Sequence, residues 1–168
     1  MFLLFACNDN SSTGVANESS VAGPDTASSK AGKEERNKQT VSAIIQSINN
    51  HDANAFFANC AADVKDYGDG SSNPMNLDSM KMFINTLLTA FPDFKISDEK
   101  MTAEGDWVMV WAENSGTWKG DFMGQKANGK TFKFRDVDIF RLNDEGKITE
   151  HHNIQPMSTF ATQLGMKM

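Results

Sequence analysis

The second half of the chain alternates between apolar and polar residues, a pattern typical of strands. Residues 131–154 read TFKFRDVDIFRLNDEGKITEHHNI, which predicts two strands joined by a tight turn at 143–146. Strand side chains alternate with a period of two, so every second residue shares a face. One face of the first strand carries two acids among four large apolar residues: Phe132, Phe134, Asp136, Asp138, Phe140 and Leu142. That combination predicts the wall of an apolar pocket in which a carboxyl group performs proton chemistry.

Two earlier stretches repeat apolar residues with the spacing of an amphipathic helix. The first covers about residues 34–49. The other begins at Asn76 or Asp78 and ends before Pro92, because proline cannot continue a helix. Short helices are predicted for 53–60, capped by Asp52, and for 156–164, closed by Gly165. The two long apolar stripes are Val41, Ile44, Ile45 and Ile48, and Met80, Phe83, Ile84, Leu87, Leu88 and Phe91.

Further strands are predicted at 94–103 and 107–119, with a short one around Val64 and Asp66. The order is then helix, helix, strand, helix and a run of antiparallel strands. This order predicts an α+β fold, in which a curved antiparallel sheet wraps the helices into a cone around an internal pocket.

The composition is typical of one domain with a tail, and it argues against both a nucleic-acid partner and a metal site. Lys plus Arg is 16 against 22 for Asp plus Glu, and no basic patch stands out, which argues against a nucleic-acid partner. The sequence contains no CxxC or HExxH motif, so no metal site is predicted. Cys60 is expected to be a small buried core residue without a disulfide.

The N-terminal residues 1–7, MFLLFAC, resemble the end of a bacterial lipoprotein signal peptide. Cys7 would then carry lipid and hold the protein at a membrane of the bacterial cell envelope. Residues 8–32 contain no aromatic residue, Leu or Ile, which predicts a disordered tether before a domain at 33–168. The alternative is an apolar terminus with an ordinary cysteine.

Several motifs resemble the SnoaL-like family of polyketide and ester cyclases, which has a nuclear-transport-factor-like fold. They are FPDF at 91–94, EGDWV at 104–108, SGTWKGDFMG at 115–124, NGKTFKFRDVDIFRL at 128–142, GKITEHH at 146–152 and QLG at 163–165. The resemblance runs from about residue 38 to 166 and therefore covers nearly the whole domain.

The resemblance implies ring closure by an intramolecular aldol condensation without a metal or cofactor. The family's acid/base aspartate falls on Asp138, with Asp136 close by. Trp118 stands where the family often has a pocket histidine, in Gly-Thr-His-x-Gly. Near the end the family often reads Glu-His-Trp, where this chain has Glu150 followed by His151 and His152.

Adjacent residues of a strand point apart, so at most one of His151 and His152 is expected to face the pocket. Either could reach Asp138 from a neighbouring strand. Tyr67 is a candidate donor to an oxyanion. The remaining pocket candidates are Trp118, Trp111, Phe134 and Phe140, whereas Arg135 and Arg141 lie on the face opposite the two acids.

Three functions remain open from the sequence. The first is a cofactor-free cyclase or isomerase that acts on a small apolar carbonyl compound, with Asp138 as the acid/base. The second is a lipid-anchored domain that binds a ligand without turnover, which the replacement of the family histidine by Trp118 favours. The third is a protein-interaction domain whose pocket is filled by its own side chains. A homodimer through the open sheet face is a further expectation.

Overall fold

The computed structural model describes residues 24–68 and 70–167, and for residues 24–28 it describes the backbone alone. Its helices are α1 (Pro24–Asn49), α2 (Ala53–Phe57), α3 (Leu77–Ala90) and α4 (Met157–Leu164). Its strands are β1 (Cys60–Asp66), β2 (Lys95–Glu104), β3 (Trp107–Thr117), β4 (Thr131–Leu142) and β5 (Ile148–Ile154). The expectations for residues 1–7, for lipidation of Cys7 and for residues 8–23 lie outside the described residues and stay predictions.

The strands form one curved sheet in the order β1-β5-β4-β3-β2, which confirms the predicted α+β class. Neighbouring strands from β2 to β5 are antiparallel, as their alternating patterns indicated. The pairing of β1 with β5 is parallel and sets Asp66 beside His151. This pairing joins the first strand to the last one, and it could not be predicted from local sequence.

The predicted boundaries of the first two helices need correction. Helix α1 begins at Pro24 rather than at residue 34, so residues 24–32 of the predicted tether are helical. Proline is favoured in the first turn of a helix, where its missing N–H is not needed. Further along, Glu34 accepts a hydrogen bond from the backbone N–H of Gly105, and Asn37 donates to the Gly105 carbonyl, so α1 is tied to the β2–β3 turn.

Helix α2 ends at Phe57 rather than at Cys60, which instead opens β1. Asp52 caps α2 as predicted, by accepting from the N–H of Ala55 at 2.9 Å. Asn76 caps α3 in the same way, and Gly165 closes α4 in the left-handed conformation. Within the described residues no helix combines the length and apolar character that a membrane crossing requires.

Alternate side chains of β3 and β4 point to the inner and the outer face of the sheet, and those on the inner face are buried. In β3 the inward residues Val108 and Val110 are buried, whereas Met109 and Trp111 are exposed on the outer face. Trp111 was predicted to line the pocket, and this is wrong: its side chain is 48% exposed. The Arg135 guanidinium lies 4.4 Å from the centre of the Trp111 ring, a cation–π contact on the outer face.

Two apolar clusters form the core. The first lies between helices α1 to α3 and the inner face of the sheet. The second is aromatic and joins the end of α3 to β4 and α4. At its centre the fully buried ring of Phe91 makes edge contacts with Phe122, Phe132 and Phe160 at centroid distances of 5.2, 5.3 and 5.9 Å.

Replacement of Phe91 by Ala should therefore destabilise the domain by about 3–5 kcal/mol, because it leaves a cavity and removes three ring contacts. The free energy of unfolding in urea measures this. The control is Met82→Ala on α3, the helix that ends just before Phe91; Met82 is 72% exposed and should contribute almost nothing. Equal effects of the two substitutions would contradict the assignment of Phe91 to the core.

Candidate active site

A cavity of about 330 Å³ lies between the helices and the inner face of the sheet. Its size is at the lower end of the range for small-molecule sites. Most of its wall is apolar: Ile44, Ile45, Ile48, Phe56, Met75, Met80, Phe83, Ile84, Leu87, Phe94, Ile96, Val110, Phe122, Met123, Phe134, Phe140, Met157 and Phe160. The sheet side also contributes polar groups, which are Asp66, Asn114, Asp136, Asp138, His151, Asn153 and Gln155. The predicted pocket residues Phe134 and Phe140 thus line the cavity.

Asp136 and Asp138 project from the inner face of β4 and are joined by amide groups. Asn153 lies opposite Asp138 in the β4–β5 register. Its side-chain N–H groups donate to Asp138 Oδ1 at 2.7 Å and to Asp136 Oδ2 at 3.2 Å. Asn114, from β3, donates to Asp136 Oδ1 at 2.5 Å. Both oxygens of Asp136 therefore accept hydrogen bonds, and the residue is 6% exposed.

His151 lies between two carboxylates. Its Nδ1 is 3.1 Å from Asp66 Oδ1, and its Nε2 is 3.1 Å from Asp138 Oδ1. The ring also stacks on Phe140 at a centroid distance of 4.8 Å. Both ring nitrogens thus face acceptors, which suits the doubly protonated imidazolium.

The two neighbouring carboxylates determine the protonation of His151. Burial by itself would lower the pKa of the His151 imidazole, but the hydrogen bonds and charges of Asp138 and Asp66 raise it to about 10. Burial likewise acts to raise the pKa of Asp66, and the hydrogen bond from His151 and its charge outweigh it, so that pKa is lowered. His151 is therefore a cation at neutral pH and cannot accept a proton as a base.

Asp136 has the opposite environment. Burial and, after it, the negative charge of Asp138 raise the pKa of Asp136 to about 6, against the lowering effect of the bonds from Asn153 and Asn114. Asp136 has amide donors but no cationic neighbour among the described residues, so no cation offsets the effect of burial there, whereas Asp138 contacts His151.

His152 and Tyr67 were candidates for the site, and both lie outside the cavity wall. His152 follows His151 on β5 and points to the outer side, where its ring stacks on Tyr67 at 4.8 Å. Its Nε2 is 3.8 Å from Glu150, which is also paired with Arg141. The alternation of β5 therefore turns His152 away from the acids, and neither His152 nor Tyr67 is among the described residues that line the cavity.

Trp118 was also predicted to line the pocket, and it does not. The ring is 1% exposed and belongs to the aromatic cluster around Phe91. Its Nε1 donates to the carbonyl of Gly120 at 2.6 Å, so its polar atom is satisfied locally. Gly120 in turn lies so close to the end of α3 that an added Cβ would be 2.8 Å from the carbonyl oxygen of Thr89. Trp118 thus fixes the segment after β3 within the core.

Three polar residues that contact Asp136, Asp138 or His151 were not identified from the sequence. Asn153 shares a face with His151, two positions earlier, and Asn114 follows the inward positions of β3, so strand alternation could have found both. Asp66 had no such signal, because it reaches His151 only through the parallel pairing of β1 and β5. Across the described residues, no group of three or more His, Cys, Asp or Glu side chains is arranged to hold a metal ion.

Comparison with known proteins identifies the family. Residues 38–164 match the family model described as SnoaL-like polyketide cyclase, which is well over half of the chain. No curated protein matches this chain significantly.

Solved structures share the fold. A proposed SnoaL-like polyketide cyclase from Jannaschia sp. CCS1 has a TM-score of 0.73 at 21% identity and covers 81% of this chain and 96% of its own. AclR, a proposed hydroxylase from Streptomyces galilaeus, has a TM-score of 0.71 at 24% identity, covering 79% and 97%. IdmH, a proposed polyketide cyclase from Streptomyces antibioticus, has a TM-score of 0.66 at 22% identity and covers 77% of this chain and 99% of its own. At these identities the likeness shows the fold alone.

The Asp136 carboxyl should titrate with a midpoint near pH 6, which carbon NMR of the side chain measures directly. In Asp138→Asn the midpoint should fall, because the negative charge that helps to raise it is gone, yet it should stay above the ordinary value of about 3.9 because burial remains. The control is Asp98→Asn, which removes the charge of an exposed carboxylate that is paired with Arg135 and Lys100 and should leave the midpoint of Asp136 in place. A midpoint near 3.9 in the unmodified protein would contradict this electrostatic account.

The pKa of His151 is raised on folding from about 6.5, so its contribution to stability is complete below pH 6.5 and is lost as the pH rises toward 10. The free energy of unfolding should therefore fall between pH 6.5 and 8.5, by at most about 1.4 kcal/mol per pH unit for one proton. Asp66→Asn should flatten this slope because it removes one of the two carboxylates that raise the pKa.

The matched control is Asp121→Asn, whose side chain is 62% exposed. Burial raises the pKa of the Cys60 thiol to about 11, so this thiol also makes the free energy of unfolding depend on pH in alkaline solution. Stopping the measurement at pH 8.5 keeps that contribution small. An unchanged slope in Asp66→Asn would show that Asp66 does not control the charge of His151.

Proposed function

Because the chain belongs to the SnoaL-like polyketide cyclase family, we propose that it is a cofactor-independent acid/base catalyst that acts on a small apolar carbonyl compound. The observation that carries this proposal is the pair of acids in an apolar cavity, of which one is held by an imidazolium and the other has a raised pKa. Such a pair of carboxyl groups in different environments is typical of acid/base sites.

Asp138 is the group that removes a proton from the substrate. Its Oδ1 accepts from both His151 and Asn153, while no donor among the described residues reaches its Oδ2. This oxygen is therefore available to a substrate in the cavity. The C–H bond beside the carbonyl breaks, its proton passes to Asp138, and its electron pair forms an enolate.

The enolate then reacts within the same molecule. In a cyclase its carbon attacks a second carbonyl carbon, so that a C–C bond forms, the C=O π electrons become an alkoxide, and Asp138 returns its proton to that oxygen. In an isomerase the proton returns from Asp138 to another carbon. Neither reaction needs an external oxidant or reductant. Ring closure occurs when the substrate has a second carbonyl group within reach of the enolate carbon.

Asp136 and His151 support this step in different ways. Asp136, whose pKa is about 6, is partly protonated near neutral pH and can donate a hydrogen bond to the oxygen that becomes negative. His151 is a positioning residue: its charge compensates the Asp138 carboxylate, its bond to Asp138 fixes the direction of that side chain, and its bond to Asp66 holds the imidazole ring. The apolar wall excludes water and thereby strengthens these interactions.

The proposal predicts that the protein accelerates exchange of the acidic C–H of small apolar ketones and esters with deuterium from solvent. Proton NMR in D2O measures the loss of that signal. Asp138→Asn should lower the exchange rate by about 10²–10⁴, because an amide cannot accept the proton. Asp121→Asn, on the surface, should retain the full rate.

Two outcomes would contradict the proposal. If compounds bind in the cavity but their exchange rate equals that of the buffer, the domain binds a ligand without turnover. If Asp138→Asn exchanges as fast as the unmodified protein, the base is another group. Thermal unfolding of the variant separates these outcomes from a simple loss of folded protein.

A further inference from the structure

The hydrogen bonds around Asp136 suit its ionised form. Asn114 donates to its Oδ1 at 2.5 Å, and Asn153 donates to its Oδ2 at 3.2 Å. A carboxylate accepts at both oxygens, whereas a protonated carboxyl group needs an acceptor for its O–H. Asp136 is nevertheless 6% exposed, and burial and the charge of Asp138 raise its pKa to about 6. To satisfy its O–H in the empty cavity, one of the two amides must present its carbonyl oxygen instead.

Asn153 is held in its orientation by a second acid. Its amide also donates to Asp138 Oδ1 at 2.7 Å. Reversal would place its carbonyl oxygen against this carboxylate oxygen, and two acceptors at such a distance repel each other. The His151 imidazolium lies 3.1 Å from the same oxygen and stabilises the negative charge there. The Asn153 amide therefore stays a donor whether or not Asp136 carries a proton.

Asn114 has no such restraint. Its amide donates to Asp136, and its carbonyl oxygen receives no hydrogen bond from the described residues. Because no fully buried side-chain polar atom of the described residues lacks a partner, this oxygen is not enclosed by protein. Asn114 lines the cavity, so the oxygen has access to it. The two ends of an amide are similar in shape, and a half-turn about the last side-chain bond exchanges them with little change in packing.

We propose that the side chain of Asn114 reverses when Asp136 takes up a proton. Its carbonyl oxygen then accepts from the Asp136 O–H, and its NH2 group faces the cavity as a hydrogen-bond donor. The nitrogens of His151 and Asn153 stay bound to the acids in both states. One proton on Asp136 thus changes what Asn114 offers to a bound molecule, from an acceptor to a donor.

The charged groups around Asp136 set the pH of this change. Asp138 lies on the same strand, His151 lies on β5, and Asp66 faces His151 from β1. The helices and β2 contribute apolar side chains alone to the described wall of the cavity. The pKa of His151 is raised to about 10 and that of Asp66 is lowered, so neither changes its charge near pH 6. The reversal should therefore follow the proton of Asp136.

The inference rests on the proposed function only for the use of the new donor. The oxygen of an enolate formed beside Asp138 would meet the NH2 group of Asn114, and it can also compete for the proton of Asp136. Preorganised donors at a developing negative charge stabilise the transition state. The reversal itself is a property of the free protein and needs no substrate.

NMR spectroscopy of the full chain without a ligand, between pH 5 and 8, tests the reversal. Carbon NMR gives the midpoint of the Asp136 carboxyl group, and nuclear Overhauser effects locate the NH2 protons of Asn114. Above the midpoint these protons should show contacts with the β protons of Asp136. Below it the contacts should be lost with the same midpoint, because the NH2 group has moved to the other side of the amide.

Two matched variants give a second measurement. Asn114→Leu removes an amide that, after reversal, serves both forms of Asp136, so the midpoint should shift by less than about half a pH unit. Asn153→Leu removes an amide that serves the ionised form alone. Its midpoint should rise by about one unit or more, because a hydrogen bond to a charged group is lost without compensation.

The inference is overturned if the Overhauser contacts are the same on both sides of the midpoint, or if Asn114→Leu raises the midpoint as much as Asn153→Leu. If a variant fails to fold, the Overhauser effects in the unmodified protein decide alone. Failure of this inference is distinguishable from failure of the proposed reaction. Reversal without deuterium exchange of substrates would contradict the reaction and support the inference, whereas exchange without reversal would do the opposite.

Discussion

The buried charges of the inner sheet face must be compensated by their own neighbours, and the arrangement of the site follows from this constraint. A lone carboxylate in an apolar cavity is highly unfavourable, so it is either paired or protonated. Asp138 is paired with the His151 imidazolium, which Asp66 holds from its other side. Asp136 has no cation beside it, and its pKa rises to about 6 instead. The same constraint thus produces two carboxyl groups with different properties on one strand.

Much of the fold could be predicted because it depends on local patterns. The period of two along β4 placed six residues on one face, and five of them are buried with Asp138 only slightly exposed. The helix ends at Asp52 and Gly165 were predicted because each uses a residue type that suits a helix end, and Asn76 was one of two candidates for the start of α3. The start of α1 was misplaced because its first ten residues carry no apolar stripe.

The site was predicted less completely, and the reason is that its partners come from separate strands. Alternation shows which side a residue faces but does not show which residue lies opposite. Trp111 and His152 are aromatic residues on the outer face, and Trp118 fills the core, so residue type alone was a poor guide to the cavity. Asp66 contributes a charge that depends on the pairing of the first strand with the last one.

That parallel pairing has a consequence for how the protein is made. During synthesis β1 leaves the ribosome long before β5, and it has no strand to pair with until the end of the chain follows. Asp66 then remains in water, and the early chain presents an unsatisfied strand edge, which is a site for association with other chains. The contacts of His151 with Asp66 and Asp138, the polar wall of the cavity and the complete five-stranded sheet therefore form together, once β5 has been synthesised. A nascent chain that stops short of β5 would lack all three at once.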